Sequence, residues 1–392
     1  MGLQGGFGGF GGFGGFGGFG GFGGFGGFGG FGGFGGSGGF GGFGGGFGQA
    51  VDYAPLALIE HRDGIVGSWQ RPTTAPDQLV LDGVDNLLLW EPWVRAAAID
   101  FDVFSSLQFD IQGQQGTLWH LDPPSGGGAV QRYPIVEMIR PPNTTKYPNP
   151  KEFWFDQVEI VASWADLRED RAEEIATQLT PPVAYWSTVL NLRPDRRKFT
   201  LELIMAALRL ANHAEMRFKH TMACRRPIEY SPQIQPMILT PGHGSLPSGH
   251  ATEAHIVAYV LWKLAKSAMY PAQIDYTWLE QLMRQAARVA INRTVAGVHF
   301  PVDSVAGQLL GLTLGDYFVN RATAGAAKHQ PRKFDGTKFV GTTDFDWRKQ
   351  YDTTDDSQSE ALDYAVKDGD PFTLAGANLL GLLWDNAKKE WP

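Results

Sequence analysis

Residues 5–47 repeat Gly-Gly-Phe almost without interruption, which leaves roughly 340 residues to build a packed fold. Phe recurs at every third position from Phe7 to Phe34. Ser37 takes the next slot, and Phe40 and Phe43 resume before an extra Gly shifts Phe47. In a strand, successive Phe would alternate between faces. In an α-helix, two Gly per triplet would cost roughly 2 kcal/mol relative to Ala. An extended helix of the polyproline II type, three residues per turn, puts every Phe on one edge. Such an edge suits self-association into a homo-oligomer, and the same composition suits a disordered, low-complexity tail; both readings stay open. Either way the array offers no ionisable side chain, so the chemistry belongs elsewhere. The chain therefore divides into a tail, 1–48, and a catalytic domain, 49–392.

Half of the 26 Phe fall in the tail, so the body is less aromatic than the whole. The net charge is −8, which lacks the basic footprint of a nucleic-acid binder. A single cysteine, Cys224, excludes an intramolecular disulfide and a Cys-rich metal site, and fits a reducing compartment. The opening Met-Gly-Leu-Gln-Gly-Gly has neither the basic and apolar regions of a signal peptide nor Ser or Thr at position 6 for myristoylation. No run of about 18 uncharged apolar residues is present. The expectation is a soluble, cytoplasmic protein that engages no membrane.

Residues 50–150 are rich in Pro, Gly and Trp and read as short helices and loops. From there the period turns helical. Val158, Val161, Ala162, Ala165, Leu167 and Ile175 mark an amphipathic helix from Phe155 to Leu179, ended by Pro181-Pro182. Further helices are expected over about 197–221, 249–268 and 276–295. Another runs from Pro301, where Pro is tolerated in a first turn, to about Asn320. Beyond Gln330 the chain is polar and loop-like, with one more helix over Thr373–Lys388. Strand signals are weak, and the fold expected is all-α.

Three segments place polar residues where packed helices would want apolar ones. In the first, Lys219 and Arg226 are seven apart, two helical turns, so both cations are expected on one face before Pro227 turns the chain. Taken alone, such a pair is usually a solvated face. In the second, Pro247-Ser248-Gly249-His250 precedes an amphipathic run. Ser248 is a natural N-cap, Gly249 exposes its backbone N–H, and a helix N-terminus there is a prepared anion site with His250 in its first turn. In the third, Asn292-Arg293 is followed after five residues by His299, and Asp303 falls where it can orient His299. Three cations, one helix N-terminus and two histidines can together enclose a tetrahedral or trigonal-bipyramidal oxyanion.

These segments resemble Lys-x6-Arg-Pro, Pro-Ser-Gly-His and Ser-Arg-x5-His-x3-Asp, the signature of the family uniting vanadium haloperoxidases with type 2 phosphatidic-acid-phosphatase-like acid phosphatases. The resemblance is strongest over 155–320 and departs at Asn292, which stands where Ser usually precedes the Arg. It implies helical bundles and bound vanadate, with His299 as axial ligand. Lys219, Arg226, Ser248, the Gly249 N–H and Arg293 would bond the equatorial oxygens, and His250 would be the acid/base. The implied reaction oxidises a halide with hydrogen peroxide to hypohalous acid, which then meets a small organic acceptor. His243 stands where bromoperoxidase-type members carry a second histidine, so bromide or iodide is favoured. His220 and His255 read as structural.

The same residues could instead hydrolyse phosphate monoesters, with His299 as the nucleophile forming phosphohistidine. The long region before Lys219, the similarity of Trp154–Ala176 to bacterial haloperoxidase-like proteins, and the lack of membrane spans favour the haloperoxidase branch. A third alternative is an assembly protein driven by the Gly-Phe tail.

Overall fold

The computed structural model describes residues 55–122, 129–269, 275–325, 327–359 and 362–391. The Gly-Gly-Phe array lies outside them. The chain divides into two compact units, Met1–Val94 with Leu179–Pro181, and Arg95–Gln178 with Pro182–Pro392. In the first, helix α1 (Pro55–Val66) is followed by an extended stretch and a 3-10 turn at Val84–Leu89, and Leu79, Val80 and Leu81 are exposed.

The second unit carries the segments of interest. After α2 (Pro92–Phe104), which begins in the first unit, come strands β1 (Leu107–Gln112), β2 (Gln115–Asp122) and β3 (Gln131–Ile139). Then follow α3 (Pro150–Trp164), α4 (Arg168–Thr177), α5 (Val183–Leu190), α6 (Lys198–Met222) and the single turn α7 (Pro227–Tyr230). The long helices α8 (Gly249–Ala268), α9 (Tyr276–Val295) and α10 (Pro301–Ala322) complete the core. They are followed by β4 (Arg332–Asp335), β5 (Tyr351–Asp352), β6 (Ser357–Gln358), β7 (Ala365–Lys367) and α11 (Asn378–Lys388).

The all-α expectation is wrong. A five-stranded mixed sheet in the order β1-β2-β3-β4-β7 accompanies the helices, with a separate β5–β6 pair. β1 and β2 form a hairpin closed at Gln112↔Gln115, where Gly113 takes φ +60 in the two-residue turn. Ile135, Val136 and Met138 of β3 are fully buried. β3 then pairs in parallel with β4 through Val136↔Arg332, across almost 200 residues of chain. These strands are short, and their stability comes from side-chain packing and from partners remote in sequence, which local periodicity does not report.

Two helix boundaries also differ from expectation. The helix expected over 155–179 is two helices around a 3-10 turn at Ala165–Leu167, and it starts earlier because the Asn149 side chain accepts from Lys151 N–H, with Pro150 at the first position. The last helix begins at Asn378 rather than Thr373.

α8 is the hub. Every residue from Gly249 to Trp262 is buried, and α6, α9, α10 and α11 pack around it. Fully burying each of its Ile, Val and Leu side chains stabilises the fold by about 1.5–3 kcal/mol. α10 approaches it on Gly307, Gly311 and Gly315, each about one turn from the next: a Cβ on Gly307 would lie 2.6 Å from Ser248 O, and one on Gly315 would lie 2.9 Å from the Tyr259 ring. This close approach sets the start of α8 beside the start of α10. At the start of α6, the Glu390 carboxylate accepts from Phe199 N–H at 2.7 Å and Thr200 N–H at 2.9 Å, a cap from the far end of the sequence.

Candidate active site

Lys219 sits in the last turn of α6, buried, and its Nζ donates to the carbonyls of Ser245 and Pro247. α6 stops at Met222 because Ala223 adopts φ +48, and Arg226 follows in extended backbone. The two cations therefore do not share a helical face as their spacing suggested; a chain reversal brings them together. Ser245 N–H donates to Cys224 O at 2.9 Å, which fastens the loop before α8 to this reversal. Cys224 itself is buried, and burial pushes its thiol up to about 12, so it is no nucleophile at neutral pH.

Arg226 reaches across the loop. Its Nη1 donates to Val298 O at 2.7 Å and to His299 Nε2 at 2.9 Å, and its Nε donates to His243 O at 3.1 Å. Nη2 lies 3.1 Å from Nδ1 of the half-buried His243. His299 Nδ1 is 3.0 Å from Asp303 Oδ2, which also accepts from Phe300 N–H at 2.9 Å and from the Ser245 hydroxyl. A carboxylate accepts and a guanidinium only donates, so His299 is protonated at Nδ1 and bare at Nε2. Burial holds this imidazole well below its usual pKa, helped by Arg226 and Lys219, so it is neutral at pH 7. Burial raises Asp303 to about 6 against those same donors.

Ser248 is the N-cap of α8, its Oγ 3.4 Å from Ala251 N, and its own N–H donates to Asp303 O at 2.9 Å. Gly249 packs so closely on α6 that a Cβ there would meet Glu215 Oε1 at 2.5 Å. His250 is 8 % exposed and directs Nε2 at Gln178 O, 3.0 Å away. That carbonyl fixes the proton on Nε2 and leaves Nδ1 as the basic nitrogen. Burial, followed by Arg293, holds His250 well below its usual pKa.

Arg293 is fully buried. Its Nη2 donates to Gln178 Oε1 at 3.1 Å, while Nε and Nη1 have no partner among the described residues. Asn292 lies one residue before it and ties α9 to α4, donating to Glu174 Oε1 at 2.8 Å and Gln178 Oε1 at 3.0 Å. Burial lowers Arg293 and Arg226 to about 10 and Lys219 to about 8, so all three are charged at neutral pH. Their partners are carbonyl oxygens, histidine nitrogens and an amide oxygen, not carboxylates.

The structure thus gathers Lys219, Arg226, His243, Ser248, Gly249, His250, Arg293, His299 and Asp303 around one locus. The fields of Lys219 and Arg226 reach both His250 and His299, and that of Arg293 reaches His250. His220 is exposed at the end of α6, and His255 is buried with Nδ1 donating to Ala251 O at 2.7 Å.

Other members carried no sequence signal. Gln178 links His250 to Arg293. Arg168 donates to Val295 O, Gln235 O and Ile234 O, each at 2.9 Å, and so holds the turn after Arg293. Gln157 accepts from Val302 N–H at 2.9 Å, satisfying a free amide at the start of α10. Glu215 and Glu253 are buried carboxyls, both raised by desolvation, Glu215 to about 7. Only the spacing Glu215–Lys219, one turn apart, could have drawn attention to any of them.

A helix N-terminus, three buried cations and a histidine whose unprotonated Nε2 accepts from Arg226 form a set that can hold a small oxyanion. Residues 199–323, which run from the start of α6 to the end of α10, match the family model of the PAP2 superfamily. That stretch is similar to the PAP2 superfamily, whose members are generally enzymes, phosphatases and haloperoxidases. No curated protein matches the chain. Among the described residues no helix is long and apolar enough to cross a membrane.

Proposed function

We propose that this site binds vanadate and that the enzyme oxidises bromide or iodide with hydrogen peroxide. The observation that carries the oxyanion reading is the Arg293 guanidinium, buried with Nε and Nη1 lacking a partner among the described residues, on the same Gln178 that orients His250. An unpaired buried donor is costly unless a ligand accepts from it. The donor set fits the group: cations and amides for oxygens, and one bare imidazole nitrogen as a ligand.

His299 Nε2 would ligate the bound group, with its own proton held on Nδ1 by Asp303. Arg226 Nη1, now on that nitrogen, would turn to a ligand oxygen. Lys219, Arg293, the Ser248 hydroxyl and the Gly249 N–H would complete the shell. Bound vanadate would supply a Lewis-acidic centre that activates peroxide. His250 Nδ1, neutral at pH 7, would accept the peroxide proton, and Gln178 O holds the ring for that transfer. His243, bonded to Arg226, would border the halide side.

The superfamily match is equally compatible with phosphatase chemistry, in which His299 Nε2 would attack phosphorus. One experiment separates the two: bromide-dependent halogenation of a phenol by hydrogen peroxide, with and without added vanadate, beside hydrolysis of a phosphate monoester. Vanadate-dependent halogenation is expected. Hydrolysis without halogenation would overturn the proposal in favour of a phosphatase.

A further inference from the structure

An oxyanion site should repel carboxylates, yet two stand inside this one. Glu215 is 1 % exposed and its Oε2 has no hydrogen-bond partner among the described residues, while its Oε1 lies against Gly249 at the start of α8. Lys219, one turn further along α6, turns instead to the carbonyls of Ser245 and Pro247. Glu253 is buried one turn into α8, where burial first, and then the charge of Glu215, raise its pKa. Asp303 is the third carboxyl and is engaged by His299, Ser245 and Phe300. With the histidines neutral, ionising all three would cancel Lys219, Arg226 and Arg293. The site would then carry no net charge and attract no anion.

We propose that Glu215 is a proton-holding ligand of the bound oxyanion: the anion enters with a proton that Glu215 keeps, and the carboxyl O–H donates to an anion oxygen beside Gly249. The inference rests on the oxyanion reading above and adds a selectivity to it. The buried acid rejects a fully charged anion unless a proton accompanies it. The charged groups that face Glu215 are Lys219 on its own helix and Arg226 beyond that helix's end, with Glu253 from α8. Arg293 from α9 and Asp303 from α10 act on Glu253 and Lys219 respectively. Desolvation outweighs both cations in holding the proton on Glu215 up to about 7. Its loss therefore falls in an accessible range.

Sulfate is the probe, because it does not titrate there. Its affinity is measured calorimetrically from about pH 6 to about pH 8 in buffers of differing ionisation enthalpy. The variant Lys219→Arg is the background, to keep that cation charged throughout. In the background protein, affinity is expected to fall about fivefold between about pH 7 and about pH 8, with proton uptake per sulfate rising from about one half to nearly one. Adding Glu215→Gln should leave affinity within about twofold across the range and remove that proton. Equal proton uptake with and without Glu215→Gln overturns the inference while leaving an anion site. So does a flat profile produced by Glu253→Gln but not by Glu215→Gln, or a flat profile in wild type should Glu215→Gln fail to fold. Failure of wild type to bind either sulfate or vanadate at any pH overturns the site reading itself.

Discussion

Replacing Gly307 by Ala tests whether the α8–α10 contact, rather than the motif residues alone, builds the site. The new Cβ would stand 2.6 Å from Ser248 O, 2.8 Å from Ala251 Cβ and 3.3 Å from Thr252 N. Carbon atoms pack best at about 3.5–4.0 Å, so the two helices must part by roughly 1 Å. Their neighbours are backbone and a short side chain that cannot rotate away. Overpacking of this kind costs about 1–3 kcal/mol. The displaced atoms belong to the N-cap of α8, and Ser248 N–H is bonded to Asp303 O. A misplacement of about 1 Å in such a site can lower turnover about 100-fold. Urea unfolding reads the first effect and oxyanion affinity with turnover the second. Gly242→Ala is the control, since a Cβ there meets nothing within 4 Å. A Gly307→Ala protein with the unfolding midpoint and anion affinity of wild type would refute the reasoning.

Three further outcomes follow from the geometry. His250→Ala should retain vanadate affinity within a few-fold and lose about 10²–10⁴ in turnover; loss of vanadate instead would make His250 a binding group. Asp303→Asn should weaken vanadate binding by about 10–100-fold, because His299 loses the carboxylate that keeps its proton on Nδ1, and unchanged affinity would remove Asp303 from that role. Glu215 has its folded pKa raised from 4.5 to about 7, so its contribution to stability is full below about pH 4.5 and lost as pH rises to about 7. The stability gain of Glu215→Gln over wild type should therefore grow by up to roughly 3 kcal/mol across that window, and a difference independent of pH would contradict the assignment.

Much of the site is legible because it is carried by short local rules. Ser248 at the head of an amphipathic run announces an N-cap, and Asp303 four residues after His299 can reach its ring from the first turn of the next helix. The long helices announce themselves by period, since a face buried against neighbours demands apolar residues three and four apart. What was misread depends on distant partners. The strand β3 pairs with β4 from beyond α10, and the break between α3 and α4 lets Arg168 serve carbonyls at the end of α9 and in the 3-10 turn at Pro232–Ile234. The reversal at Ala223 turns an expected helical pair, Lys219 and Arg226, into groups from two different elements.

By itself, then, the chain's residue order determined the long helices of the core and which polar groups stand at their ends, because capping, periodicity and charge act over a few residues. Tertiary structure alone decided that Arg293 would be buried with unpaired N–H groups and that Gln178 would join it to His250. It also set two glutamates among the cations. Desolvation and the fields of neighbouring charges depend on distance in space, and only the packing of α6, α8, α9 and α10 fixes those distances.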